Sequence, residues 1–291
     1  MSLTLFLALY SPSICALSYR SPKLTPFHKL HSNHTTSLGT LPLHKLKYKN
    51  EDLPKFYDLQ EKYPESKSLN TVLSQGGCGA CWAFAATGAY ADGLYIHKGI
   101  NIVGSPQYMM NCDRACPPEP FQDRCQVGCG GGTLYMSTLY LSDYGIIEND
   151  CCPYRASVNE CTMKCSQSAP SGNRFKMHGD LCGTNRVPLG KDGMKRILYQ
   201  YGPLLVGFDS FSDIKAYRGG VYSHKSGSYD GYHAVRIVGW GEENGVDYWI
   251  IHNSWGPGYG EKGRFRMIAG TNDCKLEAEY FFFAPCEDLY F

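Results

Sequence analysis

The sequence predicts an α+β protein whose first half is mainly helical and whose second half is mainly strand. An uncharged stretch rich in helix-forming residues starts at Cys81. Further helices are expected near residues 105–111, 133–144 and 192–201. Apolar runs bounded by Gly and Pro predict strands at 204–208, 233–239, 248–252 and 264–268. These patterns, together with 22 Tyr and 32 Gly residues, indicate a loop-rich α+β protein of one large domain or two lobes.

Charge is unevenly distributed along the 291 residues, although the net charge is only +1. Residues 1–50 contain six Lys or Arg and no acidic residue, which leaves 22 basic and 27 acidic residues in the remainder. A main body with an acidic excess is not expected to bind nucleic acid.

The chain contains fourteen cysteines, which is a high number for its length. In a secreted protein, this density indicates disulfides. When Cys15 and Cys81 are set aside, twelve cysteines remain, an even number that allows up to six bridges. Eight of them lie between Cys112 and Cys165. A zinc site in this cluster is an alternative, but the spacing is irregular and no histidine interleaves.

The N-terminal residues are expected to be removed from the mature protein. Residues 1–18 have an apolar core at 3–10, too short to span a bilayer, and are predicted to be a signal peptide. An acid-free transit peptide is the alternative. Residues 19–52 are polar and basic, carry a glycosylation sequon at Asn33, and are interpreted as a short prosegment. A disordered arm with no inhibitory task is equally compatible with this composition.

Cys81 is the residue around which the chemistry is organised. The stretch Gln75-Gly-Gly-Cys-Gly-Ala-Cys81-Trp-Ala-Phe84 reads as a glycine-rich turn that runs into a helix. The positive end of a helix dipole stabilises a thiolate, which is the reactive form of cysteine. Cys78 and Cys81 could alternatively form a redox pair, but no βαβ pattern precedes them.

A thiol nucleophile also needs a base and donors for the oxyanion. His233 opens an apolar strand, and Asn253 could accept from one nitrogen of its ring and so direct the other nitrogen at sulfur. Gln75 could place its side-chain amide beside the Cys81 backbone N–H as a second oxyanion donor.

At these residues, the sequence resembles the papain-like cysteine proteases. His233 follows Cys81 by 152 residues and Asn253 follows it by 172. The likeness continues through Cys129-Gly-Gly-Gly132, Gly202-Pro203 and Asn253-Ser-Trp-Gly-Pro-Gly-Tyr-Gly260, and covers about residues 54–286. It implies a two-lobed catalytic domain over 53–291, with a helical left lobe (about 53–165), a β-barrel-like right lobe (about 166–291) and the active-site cleft between them.

The resemblance assigns a role to each of these residues. Cys81 would be the nucleophile, His233 the base and then the acid, Asn253 the orienting residue and Gln75 the oxyanion donor. Trp255 would shield the Asn253–His233 contact from water. Gly131 and Gly132 would offer backbone groups to an extended substrate.

Within this family, the chain resembles the cathepsin B group, on the motifs Asp209-Ser-Phe-Ser-Asp-Ile214, Gly219-Gly-Val-Tyr-Ser-His224 and Asn272-Asp-Cys-Lys-Leu-Glu-Ala-Glu279. Gly207, Ala234 and Glu279 would then line the pocket for P2, the second residue before the cleaved bond. A buried Glu279 carboxylate would favour a basic P2 residue.

The sequence departs from this group in three places. Cys151 and Cys165 enclose only thirteen residues and no histidine, whereas the group has a long occluding loop with paired histidines. An endopeptidase with an open cleft is therefore expected. The prosegment is short and lacks tryptophan. Tyr232 stands before His233, where the group has glycine.

The resemblance also implies the disulfides Cys78–Cys129, Cys151–Cys165 and Cys112–Cys116. It leaves Cys125, Cys152, Cys161, Cys182, Cys274 and Cys286 unassigned. It implies a monomer without cofactor, metal or membrane span, which acts on proteins or peptides, is open to cystatin-type inhibitors, and resides in lysosome-like vesicles or outside the cell. A non-catalytic binding protein of the same fold is the alternative, but it would lack Cys81 or His233, and both are present.

Overall fold

The computed structural model describes residues 38–116, 125–167, 169, 176–179, 181–184 and 190–290. The expected signal peptide, residues 19–37 of the expected prosegment, Cys15 and the sequon at Asn33 lie outside the described residues.

The four predicted helices lie within two residues of their predicted starts in the described part of the chain, and two short helices, at residues 59–62 and 67–70, were not predicted. The longest, α3, begins at Cys81, and its residues 81–94 are all buried. It ends at Gly99, which adopts a left-handed conformation with φ of 66° that glycine takes without strain. The helices are α1 (Leu59–Lys62), α2 (Lys67–Asn70), α3 (Cys81–Lys98), α4 (Pro106–Cys112), α5 (Leu134–Tyr144) and α6 (Gly190–Tyr201).

A mixed sheet forms the second half of the fold. Its strands are β1 (Tyr57–Asp58), β2 (Leu181–Thr184), β3 (Leu204–Phe211), β4 (Val221–Tyr222), β5 (Tyr229–Glu243), β6 (Val246–His252), β7 (Arg264–Ile268) and β8 (Tyr280–Pro285). The order is β2-β8-β3-β5-β6-β7-β4, and β1 pairs with β5. Only the β4–β7 pairing among these strands is parallel. The four predicted strands are confirmed.

Sequence patterns missed β2 and β8. Strand β8 is Tyr-Phe-Phe-Phe-Ala-Pro, and its first five residues are buried. A strand covered on both faces is apolar throughout, so it lacks the alternation that identifies a half-exposed strand.

Two apolar cores correspond to two lobes. The helical core surrounds α3 and includes Trp82, Tyr90 and Met110. The β core includes Trp240, Trp249 and Phe265. Ala234 of β5 belongs to the helical core, so β5 joins the two lobes. No helix among the described residues is long and apolar enough to cross a bilayer.

Five disulfides connect described cysteines. Two are the pairs that the resemblance implied, Cys78–Cys129 and Cys151–Cys165. The expected Cys112–Cys116 pair is wrong, because Cys112 lies at the end of α4 beside a residue 49 positions further along the chain. The other three pairs are Cys112–Cys161, Cys116–Cys125 and Cys182–Cys286. Because these sulfurs are bonded to one another, they are not available to a zinc ion.

A buried ion pair connects α3 to β5. Arg236 Nε lies 3.1 Å from Asp92 Oδ2, and Arg236 also donates to the Ser68 carbonyl at 3.0 Å. Gly88, one helical turn before Asp92, makes this contact possible. A Cβ at residue 88 would lie 1.4 Å from Arg236 Nη1, so the guanidinium occupies the side-chain space of residue 88.

We therefore expect Gly88→Ala to destabilise the protein by about 2–4 kcal/mol, because the methyl group displaces Arg236 and leaves the Asp92 carboxylate buried without its partner. Gly93→Ala is the matched control in the same helix. It gains the same helix propensity, and its methyl group meets the end of the Leu181 side chain at 3.0 Å and Phe283 Cβ at an ordinary 3.8 Å. Urea unfolding of both variants measures the difference, and equal stabilities would contradict this account.

Candidate active site

The loop before α3 is attached to the loop after β6, which carries Asn253. Gln75 N donates to the Ser254 carbonyl at 2.8 Å, and Ser254 Oγ donates to Gln75 Oε1 at 2.5 Å. Gly256 N donates to the Leu73 carbonyl at 3.2 Å. Backbone and side-chain bonds thus connect the two lobes directly beside the proposed catalytic residues.

His233 and Asn253 form the hydrogen bond that the sequence predicted. Their Nε2 and Oδ1 atoms lie 2.8 Å apart, and both residues are buried. Asn253 Oδ1 also accepts from Ser254 N at 2.8 Å, which fixes the orientation of the amide. With Nε2 engaged as the donor, the other ring nitrogen, Nδ1, is available as the base.

The strand that carries His233 reaches the start of α3. Ala234 N donates to Cys81 Sγ at 3.3 Å, so residue 81 and the residue after the histidine are in contact. Ala80 caps the helix without a side-chain hydrogen bond, and Cys81 is its first residue. Cys78 pairs with Cys129, which argues against a Cys78–Cys81 redox couple.

Aromatic rings enclose the histidine. Trp255 stacks on His233 with ring centroids 4.6 Å apart and planes inclined by 29°, and Phe208 meets it edge-on at 5.6 Å. Burial lowers the pKa of His233 to about 4, and the hydrogen bond to Asn253 opposes this shift. The ring is therefore neutral near pH 7 and can accept a proton.

The comparisons with known proteins agree with this arrangement. The model of the papain family of cysteine proteases matches residues 53–284. The chain belongs to that family. It is 37% identical over 235 residues to the cathepsin B-like CP2 of Giardia intestinalis, covering 79% of this chain and 73% of that protein. A cathepsin B-like cysteine proteinase of Schistosoma japonicum is 31% identical over 259 residues, covering 79% and 72%.

A solved structure shows the same fold. Procathepsin B S9 of Trypanosoma congolense has a TM-score of 0.74 and 27% identity, and the match covers 86% of this chain and 83% of that chain. The protein is thus a cathepsin B-like cysteine peptidase with the predicted α+β, two-lobed fold.

In this papain-family protease, residues 130–132, the glycine segment, follow Cys129, which lies beside the turn that precedes α3. Gly79 N donates to the Cys129 carbonyl at 3.0 Å, and the Cys78–Cys129 disulfide lies alongside. Gly131 has a φ of 118°, which favours glycine. A Cβ at Gly132 would lie 2.3 Å from Gln126 Oε1 and 2.7 Å from the Trp82 ring.

Sequence reasoning did not identify the support behind this segment. Gln126 is fully buried, accepts from Thr133 N at 2.7 Å and donates to Asp113 Oδ2 at 3.0 Å. Burial raises the pKa of Asp113 to about 7. No sequence pattern distinguishes a buried amide or carboxylate from an exposed one. The only signal for Gln126 in the sequence is its position between two cysteines of the cluster.

The proposed P2 pocket differs from its sequence-based description. Gly207 and Ala234 are paired across β3 and β5, and the backbone N–H of Ala234 contacts Cys81. The phenol of Tyr232 covers Gly207, where an added Cβ would lie 2.1 Å from the Tyr232 hydroxyl. The prediction of a buried Glu279 is wrong, since Glu279 is exposed. It stands just before β8 with Tyr280 turned into the core, and consecutive extended residues face opposite sides.

His252, next to Asn253, gives this protease a dependence of stability on pH. Burial, followed by the charges of Arg236 and Arg264, lowers the pKa of His252 well below 6.5. Below pH 6.5, the unfolded state therefore binds a proton that the folded state does not. The free energy of unfolding keeps its full value above pH 6.5 and falls as the pH is lowered towards the folded pKa.

We predict that His252→Gln reduces this loss by up to about 1.4 kcal/mol per pH unit between pH 6.5 and pH 5. Asp113 titrates in the same window with the opposite sign, but it is present in both proteins and cancels in the difference. Urea unfolding at several pH values measures the slope. His44→Gln, at an exposed position, is the control. Equal slopes for the His252 variant and the wild type would contradict the prediction.

Proposed function

We propose that the protein is a cysteine endopeptidase that hydrolyses peptide bonds through an acyl-enzyme at Cys81. The observation that carries the proposal is the position of the His233–Asn253 pair. Its two side chains are joined at 2.8 Å, and the residue after the histidine contacts Cys81 Sγ at 3.3 Å.

The reaction divides between the two lobes. His233 Nδ1 takes the proton of Cys81, and the thiolate attacks the substrate carbonyl carbon. The imidazolium then protonates the leaving amine, and the thioester remains on Cys81. A water molecule that gives its proton to His233 attacks this thioester and releases the acid.

The oxyanion would be stabilised by the Gln75 side chain and the Cys81 backbone N–H, beside the N-terminus of α3. Gln75 is buried, and Ser254 holds its Oε1 atom. Its Nε2 group donates to the Cys78 carbonyl at 3.0 Å, which places this donor in the loop immediately before the nucleophile.

The endopeptidase assignment depends on the region between Cys151 and Cys165. The disulfide closes this segment, and the thirteen residues inside contain no histidine to bind a substrate carboxylate. A substrate could therefore continue past the cleaved bond. A non-catalytic role is disfavoured, because Cys81, His233 and Asn253 are all present, His233 is bonded to Asn253, and the next residue, Ala234, contacts Cys81.

Five disulfides support folding in an oxidising compartment, and we propose lysosome-like vesicles or the extracellular space as the location. A monomer and inhibition by cystatin-type proteins are further parts of the proposal. An N-terminal segment that includes the basic residues before 38 would be removed on maturation.

The decisive experiment is hydrolysis of an internally quenched peptide with a blocked C-terminus, measured with a thiol reductant. We expect cleavage that an epoxide inhibitor abolishes by labelling Cys81. Cys81→Ala should remove both activity and labelling, and Gln75→Glu should lower kcat about 10²–10³-fold. A Cys81→Ala variant that keeps the activity would refute the assignment of the nucleophile. Cleavage confined to free C-terminal dipeptides would refute the endopeptidase assignment.

We further propose a shallow, acidic P2 site. The Tyr232 ring fills the space above Gly207, and Glu279 lies close enough that its charge, after burial, helps to raise the pKa of Tyr232. Asp209 is paired with Lys275 at 2.7 Å, whereas Glu279 has no ion-pair partner among the described residues. A long cationic side chain could lie across the phenol with its charge near Glu279, while a bulky apolar one would lack depth.

For this site, we expect kcat/KM for a P2 Arg substrate to exceed that for P2 Phe. Glu279→Gln should lower the Arg value by about tenfold and leave Phe unchanged. Tyr232→Gly should raise the Phe value by about tenfold, because it opens space for the ring. Dipeptide fluorogenic substrates that differ only at P2 measure both ratios. Equal effects on the two substrates would exclude a P2 role for these residues.

A further inference from the structure

Residues 38–52, the last part of the expected prosegment, pack against both lobes; we call them the N-terminal strap. Leu38 is 5% exposed and belongs to the helical core. Leu41 and Leu46 are 2% and 8% exposed and belong to the β core. A short segment that inserts leucines into two separate cores joins them from outside.

The first residues of the strap pair with backbone from two distant parts of the chain. Gly39 N donates to the Gly183 carbonyl of β2 at 3.0 Å. Thr40 and Tyr290 exchange two hydrogen bonds at 2.7 and 3.0 Å. The Cys182–Cys286 disulfide ties the same two parts together next to the strap.

The rest of the strap binds α6. Gln200 accepts from Lys47 N at 2.8 Å and donates to the Lys45 carbonyl at 2.7 Å. Arg196 Nε donates to the Tyr48 carbonyl at 2.6 Å, and the Tyr48 ring meets Tyr199 edge-on at 4.8 Å. Two further side-chain contacts hold the strap. Lys45 forms an ion pair with Asp288 at 3.3 Å, and Asn50 donates to Asp192 at 3.0 Å.

These partners lie on β2, α6 and the C-terminal residues of the described chain, and none of them is a residue assigned to the cleft. A segment held there does not cover Cys81 or the glycine segment of the cleft. Its apolar side chains are buried in the same way as those of the catalytic domain, and its backbone bonds would be lost if it were cut away.

We propose that the N-terminal strap is a permanent part of the mature enzyme, which keeps residues 38–52 after any N-terminal segment is removed. The strap joins the two lobes and thereby positions Cys81, on the helical core, relative to His233, on β5. The expected boundary of the prosegment at residue 52 would then move to a point before Leu38. Retention does not depend on the proposed function, whereas the positioning role does.

Retention is tested on the full chain, produced in a secretory host and activated at acid pH, with pepsin added if it does not activate itself. Intact mass and N-terminal sequencing give the first residue of the product. We expect it at or before Leu38. A stable product that starts near Leu53 and has lost the strap would overturn the proposal. This readout needs no peptidase activity, so it stands even if the assigned function fails.

The positioning role is tested with Leu41→Asp against Leu43→Asp. Both place the same charge in the strap, but Leu43 is 57% exposed. Below the unfolding temperature of each variant, we expect Leu41→Asp to lower kcat about tenfold with KM within about twofold, because the lobes lose their relative position. Leu43→Asp should change neither.

Active-site titration with the epoxide inhibitor corrects both rates for unfolded protein. If Leu41→Asp does not yield folded enzyme, Leu41→Ala takes its place with a smaller expected loss of kcat. Equal kcat for the Leu41 variant and the Leu43 variant would overturn the positioning role.

Discussion

The active site depends on the attachment of the Gln75 loop to the Ser254 loop. Gln75 precedes the proposed nucleophile on the helical side, and Ser254 follows Asn253, the proposed orienting residue, on the β side. Their two hydrogen bonds, at 2.8 and 2.5 Å, run between a backbone pair and a side-chain pair, so neither loop can slide without breaking one. The proposed oxyanion donor and the orienting amide are therefore fixed by the same contact.

Burial has opposite consequences at two positions in this region. For His233, loss of water lowers the pKa and keeps the ring ready to accept a proton, while Asn253 holds its orientation. For Arg236, three residues further along β5, loss of water is tolerated because Asp92 compensates the charge at 3.1 Å. Strand β5 thus carries a neutral imidazole, the proposed base, and three residues further on a paired cation. The neutral His233 ring has an uncharged partner, Asn253, whereas the charged Arg236 has an acidic partner, Asp92.

The sequence predicted those parts of the site in which a reacting group needs a particular side chain. A candidate nucleophile, base and orienting amide can be named from residue types and spacing, and in the structure His233 bonds Asn253 while its neighbour Ala234 contacts Cys81. The general architecture was predictable for a related reason, because helical and alternating segments occupy different halves of the chain. Strand β8 was not predicted, because it is buried on both faces and shows no alternation of apolar and polar residues.

What could not be predicted depends on contacts between residues far apart in the chain. The overlap of Tyr232 with Gly207 follows from the β3–β5 register, which sets Asp209 opposite Tyr232 and Gly207 opposite Ala234. The partner of Cys112 likewise depends on where a loop 49 residues away returns. Neither fact is encoded in a local pattern, although Tyr232 was visible as an unusual residue before the histidine.

The proposed catalytic groups are divided between two cores. The relative position of the two lobes therefore matters for the proposed reaction. Cys81 is held by the helical core and His233 by a strand whose neighbours lie mostly in the β core. A thiolate and an imidazole exchange a proton only within hydrogen-bonding distance, so a small displacement of one lobe is costly even if both lobes remain folded. Under the proposed function, contacts that span the lobes, at the Gln75 loop, at Arg236 and at the strap, would act on catalysis through geometry. They can be weakened without changing a residue that is proposed to meet the substrate.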